Sequence, residues 1–98
     1  MKAPIFLAAA LACTPLVAYG QDTARNLAAA CAICHGTEGR AATKDVIALA
    51  GLPRDHIVSQ MRAFRDGTRP ATVMHQIAKG YSDAQIDAMA AWFAAQKR

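Results

Sequence analysis

Cysteine is scarce in this sequence. There are three in 98 residues, too few for the disulfide framework that holds together many small exported domains. Aromatic residues are equally sparse, with one Trp, two Tyr and three Phe. The basic residues are scattered, and Arg54, Arg62, Arg65 and Arg69 form their densest group. A nucleic-acid surface needs a stronger basic stripe with interleaved aromatics, so that class is set aside. No segment reads as a strand, and no internal repeat or low-complexity linker is present. The one long apolar stretch lies at the N-terminus, is interrupted by Pro15 and falls short of the ~20 residues a membrane span requires.

That N-terminal stretch has another reading. Met1-Lys2 gives a positive start, "IFLAAALACTPLVA" an apolar middle, and Ala18-Tyr19-Gly20 a pair of small residues two apart before polar Gln21-Asp22. This pattern predicts a secretory signal over 1–20, cleaved near Gly20, with a single domain over 21–98 exported to the periplasm. A membrane anchor is the alternative. A lipoprotein signal ending at Cys13 would want Leu three residues earlier, where Ala10 stands. Cleavage removes Lys2 and Cys13, so the remaining chain carries ten basic and seven acidic residues, a net charge of +3, and two cysteines, Cys31 and Cys34. A disulfide between those two would close almost no loop and add little stability. At about 78 residues, an ordering cost of ~1.5 kcal/mol per residue roughly cancels what burial returns. Domains of this size lean on disulfides, a metal or a large cofactor. With no disulfide framework available, a cofactor is expected on energetic grounds alone.

Periodicity predicts an all-α fold of three main helices. The first runs from about Thr23 to Cys34 and ends into Gly36. The second begins with Pro53 at its first position and closes at Gly67, with Ile57, Met61 and Phe64 on one face. The third opens on a Ser82/Gln85 capping box and runs to about Gln96, with Ile86, Met89, Ala90 and Phe93 as its buried stripe. A short helical turn is expected at Met74 to Ala78.

"AACAICHGTEG", residues 29 to 39, is where the chemistry concentrates. C-x-x-C-H is the attachment signal for c-type haem. Residues three apart share a helix face, so the Cys31 and Cys34 sulfurs can reach the two vinyl groups along one porphyrin edge. His35 is then carried under the ring to meet the iron, its other nitrogen held by a backbone carbonyl of the following loop. Gly36 and Gly39 permit a tight turn there. A thioredoxin-type redox pair would need a βαβ setting. A zinc site could be assembled only from Cys31, Cys34, His56 and His75, which lack finger-like spacing. The remaining alternative is two buried structural thiols. Ile33, Leu49, Leu52, Met61, Phe64 and the aromatics of the third helix are the expected packing partners of one covalent haem.

The second axial position of the iron separates a carrier from a catalyst. Met61 and Met89 belong to helical apolar stripes, where Met is usually core filler. His56 sits at the exposed start of the second helix. Met74 lies in a loop beyond Pro70 that can fold back over the ring, and His75 is its neighbour and competitor.

"CAICHGTEG", "LAGLP" and "MRAFRDGTRPATVMHQIAKGYSDAQIDAMAAWFAAQ" together resemble the class I c-type cytochromes of the small bacterial type. The likeness is greatest to the monohaem cytochrome subunit of flavocytochrome c sulfide dehydrogenase, with a more general similarity to cytochromes c4 and c-553. The resemblance spans nearly all of residues 21–98. It implies thioether attachment at Cys31 and Cys34, and His35 and Met74 as axial ligands. It also implies a non-catalytic, single-electron role beside a flavoprotein (FAD) subunit, or else as a free carrier between redox complexes. Relatives often have a proline two residues before the Leu of "LAG", and its carbonyl holds the proximal histidine. Ile47 occupies that place here, and its carbonyl can still accept the bond from a less rigid loop. Arg54, Arg69 and Tyr81 are candidate contacts for the haem carboxylates.

Overall fold

Helices supply all the regular structure among the described residues, and no strand occurs there. The computed structural model describes residues 3–5 and 19–98. Most of the expected leader over 1–20 therefore lies outside the described residues. The five helices are α1 (Tyr19–Ala29), α2 (Ala32–His35), α3 (Arg54–Asp66), α4 (Met74–Ala78) and α5 (Asp83–Ala94), with a 3₁₀ turn at Thr37–Gly39. None of them is long and apolar enough to cross a membrane.

The three longer helices, α1, α3 and α5, are the three main helices expected from periodicity, and α5 packs against both of the others. The reason is the α5 stripe. Ile86, Met89, Ala90 and Phe93 recur at helical spacing and are all buried, and they join Ala28 of α1 and Ile57 and Val58 of α3 in one core. Each large side chain so buried contributes about 1.5–3 kcal/mol. Alanines at 24 and 28 are what let α1 come close.

Local signals set the helix ends. Ser82 accepts from the Gln85 amide at 3.2 Å while the Gln85 side chain accepts from the Ser82 amide at 2.9 Å, the expected capping box. Gly67 closes α3 at φ 78°, its amide bonded back to Phe64 at 3.2 Å. Pro53 caps α3 from one residue outside it, so the helix starts at Arg54.

The first helix departs from the expected continuous run to Cys34. It stops at Ala29, and the Cys31 amide bonds to the Ala28 carbonyl at 3.0 Å, a three-residue closure that tightens the chain. A new turn then carries the cysteines, with the His35 amide bonded to the Cys31 carbonyl at 2.8 Å.

Asp83, in the first turn of α5, binds Arg65 of α3 at 2.7 Å and lies 3.7 Å from Arg62. The Arg65 hydrogen bond, then the charges of Arg65 and Arg62, hold its carboxyl below the usual range. A depressed carboxylate stabilises the fold above its unfolded titration range, and that contribution disappears as pH falls through the folded value. An Asp83→Asn variant is therefore expected to unfold at lower urea than the parent at neutral pH. The two midpoints should converge in acid below the ordinary Asp range. The gap should also shrink in high salt, since the pair is exposed.

Candidate cofactor site

The turn that carries Cys31, Cys34 and His35 opens onto a cavity of about 450 Å³, within the size range of small-molecule and cofactor sites. Cys31, Cys34 and His35 lie on its wall together with Met74. The spacing accounts for their convergence. Cys31 has helical φ and ψ (−73°, −19°), so positions 31, 34 and 35 fall at i, i+3 and i+4 on one face. Both thiols are free rather than bridged. Burial, and then the neighbouring Cys34, push the Cys31 thiol above its ordinary range.

Gly36 must follow at once. It takes φ 87°, and a Cβ there would stand 1.8 Å from the Arg40 carbonyl oxygen. Gly39 takes φ 80° at the end of the same turn, where a Cβ would press on the Ala50 amide nitrogen and Phe93 at 2.8 Å each. Its carbonyl accepts from Leu49 at 2.8 Å and Ala50 at 3.1 Å, which draws the 40–52 loop across the site. That loop delivers the Ile47 carbonyl to His35 Nδ1 at 2.7 Å, the contact expected from a following-loop carbonyl. A carbonyl only accepts, so Nδ1 bears the proton and donates. In the neutral ring Nε2 is then left with its lone pair, the tautomer a metal-binding imidazole requires.

The rest of the wall is mainly apolar. Leu49, Leu52, Met61 and Phe64 line it as expected, and Phe93 of α5 does too. Trp92 does not line it and packs edge-on to Phe93, ring centres 5.1 Å apart. Ile33 is a correction to the expected packing partners. It is 90% exposed, because position i+2 from Cys31 points away from the face shared by 31, 34 and 35.

Of the residues weighed for the second axial position, Met61, Met74, Met89 and His56 all line the cavity, whereas His75 does not. The His75 Nδ1 is instead buried without a hydrogen-bond partner. Met89 is 3% exposed and belongs to the core. Met74 begins α4, half-buried. The zinc alternative does not assemble. Among the described residues no three His, Cys, Asp or Glu side chains are grouped to hold a metal ion. The thioredoxin alternative lacks its strands.

Sequence reasoning missed Gln60 and the role of His56 on this wall. Both were legible as an i, i+4 pair whose stripe continues to Phe64.

An apolar cavity entered by two thiols, a correctly tautomeric imidazole and a thioether fits haem c. No protein-family model matches the chain. It is 39% identical over 71 residues to the thiosulfate dehydrogenase electron acceptor of Thiomonas intermedia, covering 71% of this chain and 33% of that protein. It is 34% identical over 67 residues to the cytochrome subunit of sulfide dehydrogenase of Chlorobaculum tepidum, covering 68% and 60%. Cytochrome c-554(548) of Halomonas halodenitrificans is 34% identical over 70 residues, covering 68% of this chain and 84% of that protein. Against several of its relatives the chain spans only about a third of their length. With 34% identity across 84% of the length of one cytochrome, and a C-x-x-C-H turn on the wall of a largely apolar cavity, the chain belongs to the class I c-type cytochromes.

Proposed function

We propose that this chain is an exported, monohaem electron-transfer protein that takes single electrons from a dehydrogenase acting on reduced sulfur, with a flavoprotein subunit of the sulfide dehydrogenase kind as its partner. Cys31 and Cys34 would hold the haem as thioethers, and His35 and Met74 would occupy the two axial positions. When bound, haem c supplies one-electron exchange between Fe(II) and Fe(III). His35 is fixed in tautomer and orientation by the Ile47 carbonyl at 2.7 Å. That contact, on the residue after C-x-x-C, is the observation that carries the reading.

The surrounding side chains exclude water and do no bond chemistry. Leu52, Ile57, Met61, Phe64, Ile86 and Phe93 line the cavity, and the low local dielectric they create keeps reorganisation small when one charge is added or removed. A thioether favours the reduced iron and so raises the potential relative to a second imidazole.

The Chlorobaculum relative is named as a subunit of a sulfide dehydrogenase and the Thiomonas relative as an electron acceptor of a thiosulfate dehydrogenase. Both names support a sulfur-oxidising donor. A free carrier is the second reading, favoured by the match to 84% of the length of cytochrome c-554(548). Native purification from the source cells separates the two. The subunit is expected to co-elute with flavin absorbance near 450 nm in roughly equal amount, whereas a red fraction eluting alone at the mass of the processed chain would favour the free carrier. Edman sequencing of that fraction is expected to begin near Gln21. An intact N-terminus at Met1 would overturn the cleaved-leader reading.

A further inference from the structure

The Ile47 carbonyl that meets His35 belongs to a segment with little of its own to hold it. Among the described residues, no backbone–backbone hydrogen bond starts or ends within 41–48. Packing does not supply the stiffness either. Ile47 and Leu52 line the cofactor cavity on one side and an outer groove of about 370 Å³ on the other, so the loop is a single layer between two spaces. Ile47 is 56% exposed, and no proline ring fixes its φ. So few contacts make a segment easy to open, yet its carbonyl stands 2.7 Å from His35 Nδ1.

The loop is held at its two ends instead. The Gly39 carbonyl takes the amides of Leu49 and Ala50, and the Gly51 amide bonds to the Phe93 carbonyl at 2.9 Å. The remaining tie is a side chain. Arg40 Nε donates to the Lys97 carbonyl at 2.9 Å, and its Nη1 donates to the Glu38 carboxylate at 3.0 Å. Lys97 is a firm anchor because Gln96, just before it, is bound twice. The Gln96 amide bonds to Phe93 at 3.1 Å and its side chain to the Trp92 carbonyl at 2.8 Å. Glu38 is the one non-glycine residue at positive φ, 55°, among the described residues. That conformation strains a side-chain-bearing residue, and in it the Glu38 carboxylate lies on Arg40.

We infer that Arg40 is a positioning residue for the proximal ligand: it ties the start of the 40–52 loop to the chain after α5 and so holds the Ile47 carbonyl on His35 Nδ1. This deepens the haem reading above and rests on it. Arginine suits the place, because its rigid fork serves a carbonyl and a carboxylate in one plane, which a single ammonium cannot do. The Nδ1–H bond makes the imidazole a more basic ligand, and a more basic donor favours Fe(III). Slackening the loop therefore raises the potential. Loss of a positive charge alone does the reverse, because it makes Fe(III) easier to carry. The two effects differ in sign.

The test uses the matured haem protein, whose reduced form is diamagnetic, so the His35 Nδ1 proton can be followed by NMR. In Arg40→Gln that proton is expected to move upfield and to exchange with solvent about tenfold faster than in the parent. At fixed ambient potential the Fe(III)/Fe(II) ratio should fall about threefold, a rise of about 28 mV at 59 mV per tenfold for one electron. Arg40→Lys keeps the charge and should move the proton in the same direction. Arg54→Gln removes another exposed arginine, paired with Asp55 and Asp87, and should move neither readout. Proline at 47 would fix φ and remove no backbone hydrogen bond, so Ile47→Pro added to Arg40→Gln should return both readouts toward the parent. A red Arg40→Gln protein with both axial ligands in place, an unmoved proton and a potential unmoved or lowered would overturn the role and leave the haem reading intact. So would a shift that Ile47→Pro leaves uncorrected. Should the double variant not mature, Arg40→Lys decides alone, since an unmoved proton there would assign the effect to charge. A parent chain that takes up no haem would overturn both readings.

Discussion

With Cys31 and Cys34 both changed to alanine, the chain is expected to lose all its haem to acidified acetone, whereas the parent pellet stays red. The two sulfurs sit three residues apart on one helical turn at the cavity wall, and only a thioether survives acid extraction. Each single variant should retain haem through the remaining sulfur, with a shifted α band from the unsaturated vinyl group. The parent, once matured, should show no titratable thiol.

The larger consequence is for folding. Without the cofactor the apolar lining of the cavity of about 450 Å³ would stand in water instead of being buried, at about 25 cal/mol per Å² of exposed apolar surface. A small domain has little stability to spare, about 5–15 kcal/mol in all. The apoprotein is therefore expected to loosen or collapse around that lining. Ile57, Ile86, Met89 and Phe93 line the cavity and also belong to the core, so loosening one loosens the other. The double variant is expected to lose much of its far-ultraviolet helical signal together with its colour. A double variant as helical and as cooperative as the parent would show that the core stands without the cofactor. A colourless parent with two free thiols would show that the turn attaches no haem.

Much of this was legible in the sequence because it rests on short-range rules. The C-x-x-C-H spacing, the Ser82/Gln85 capping box, the glycine closing α3 and the four-residue stripe of α5 each act within two turns, and all appear in the structure. The carbonyl for His35 was legible too, because it depends on backbone and Ile47 has one. The break after Ala29 was not, since alanines on both sides give no periodicity to interrupt. The family likeness favours Met74 over His75, and periodicity alone does not separate them. Adjacent residues on a one-turn helix point in different directions, and which of them meets the cavity depends on how α4 docks on α3. Arg69 was one of three candidate contacts for the haem carboxylates. Its placement over Phe64 follows from the reversal at Gly67, a contact between segments on either side of a turn.

Met74→Ala is expected to abolish the near-infrared sulfur-to-iron charge-transfer band of the oxidised protein. Three methionines line the cavity, so the band alone does not say which is bound. Met61 and Met89 are held by the helices that carry them, Met61 packed against the core and Met89 within it. Either could supply a thioether only by withdrawing from that packing, which costs about 2–5 kcal/mol for a side chain of this size. Met74 is the first residue of a five-residue helix and half-buried, so it reaches the cavity without such a loss. Met61→Leu and Met89→Leu conserve volume and should therefore keep the band at a cost below about 1.5 kcal/mol. His75→Ala should keep it as well, because that side chain is off the wall. In Met74→Ala the potential should fall by at least about 0.1 V within the ~0.8 V range that axial ligands span, since the donor that favours the reduced iron is gone. The reduced variant should then take up CO, which the parent is expected to resist. Survival of the band in Met74→Ala, with its loss in Met61→Leu or Met89→Leu, would move the axial sulfur onto α3 or α5 and require the core to be rebuilt around it.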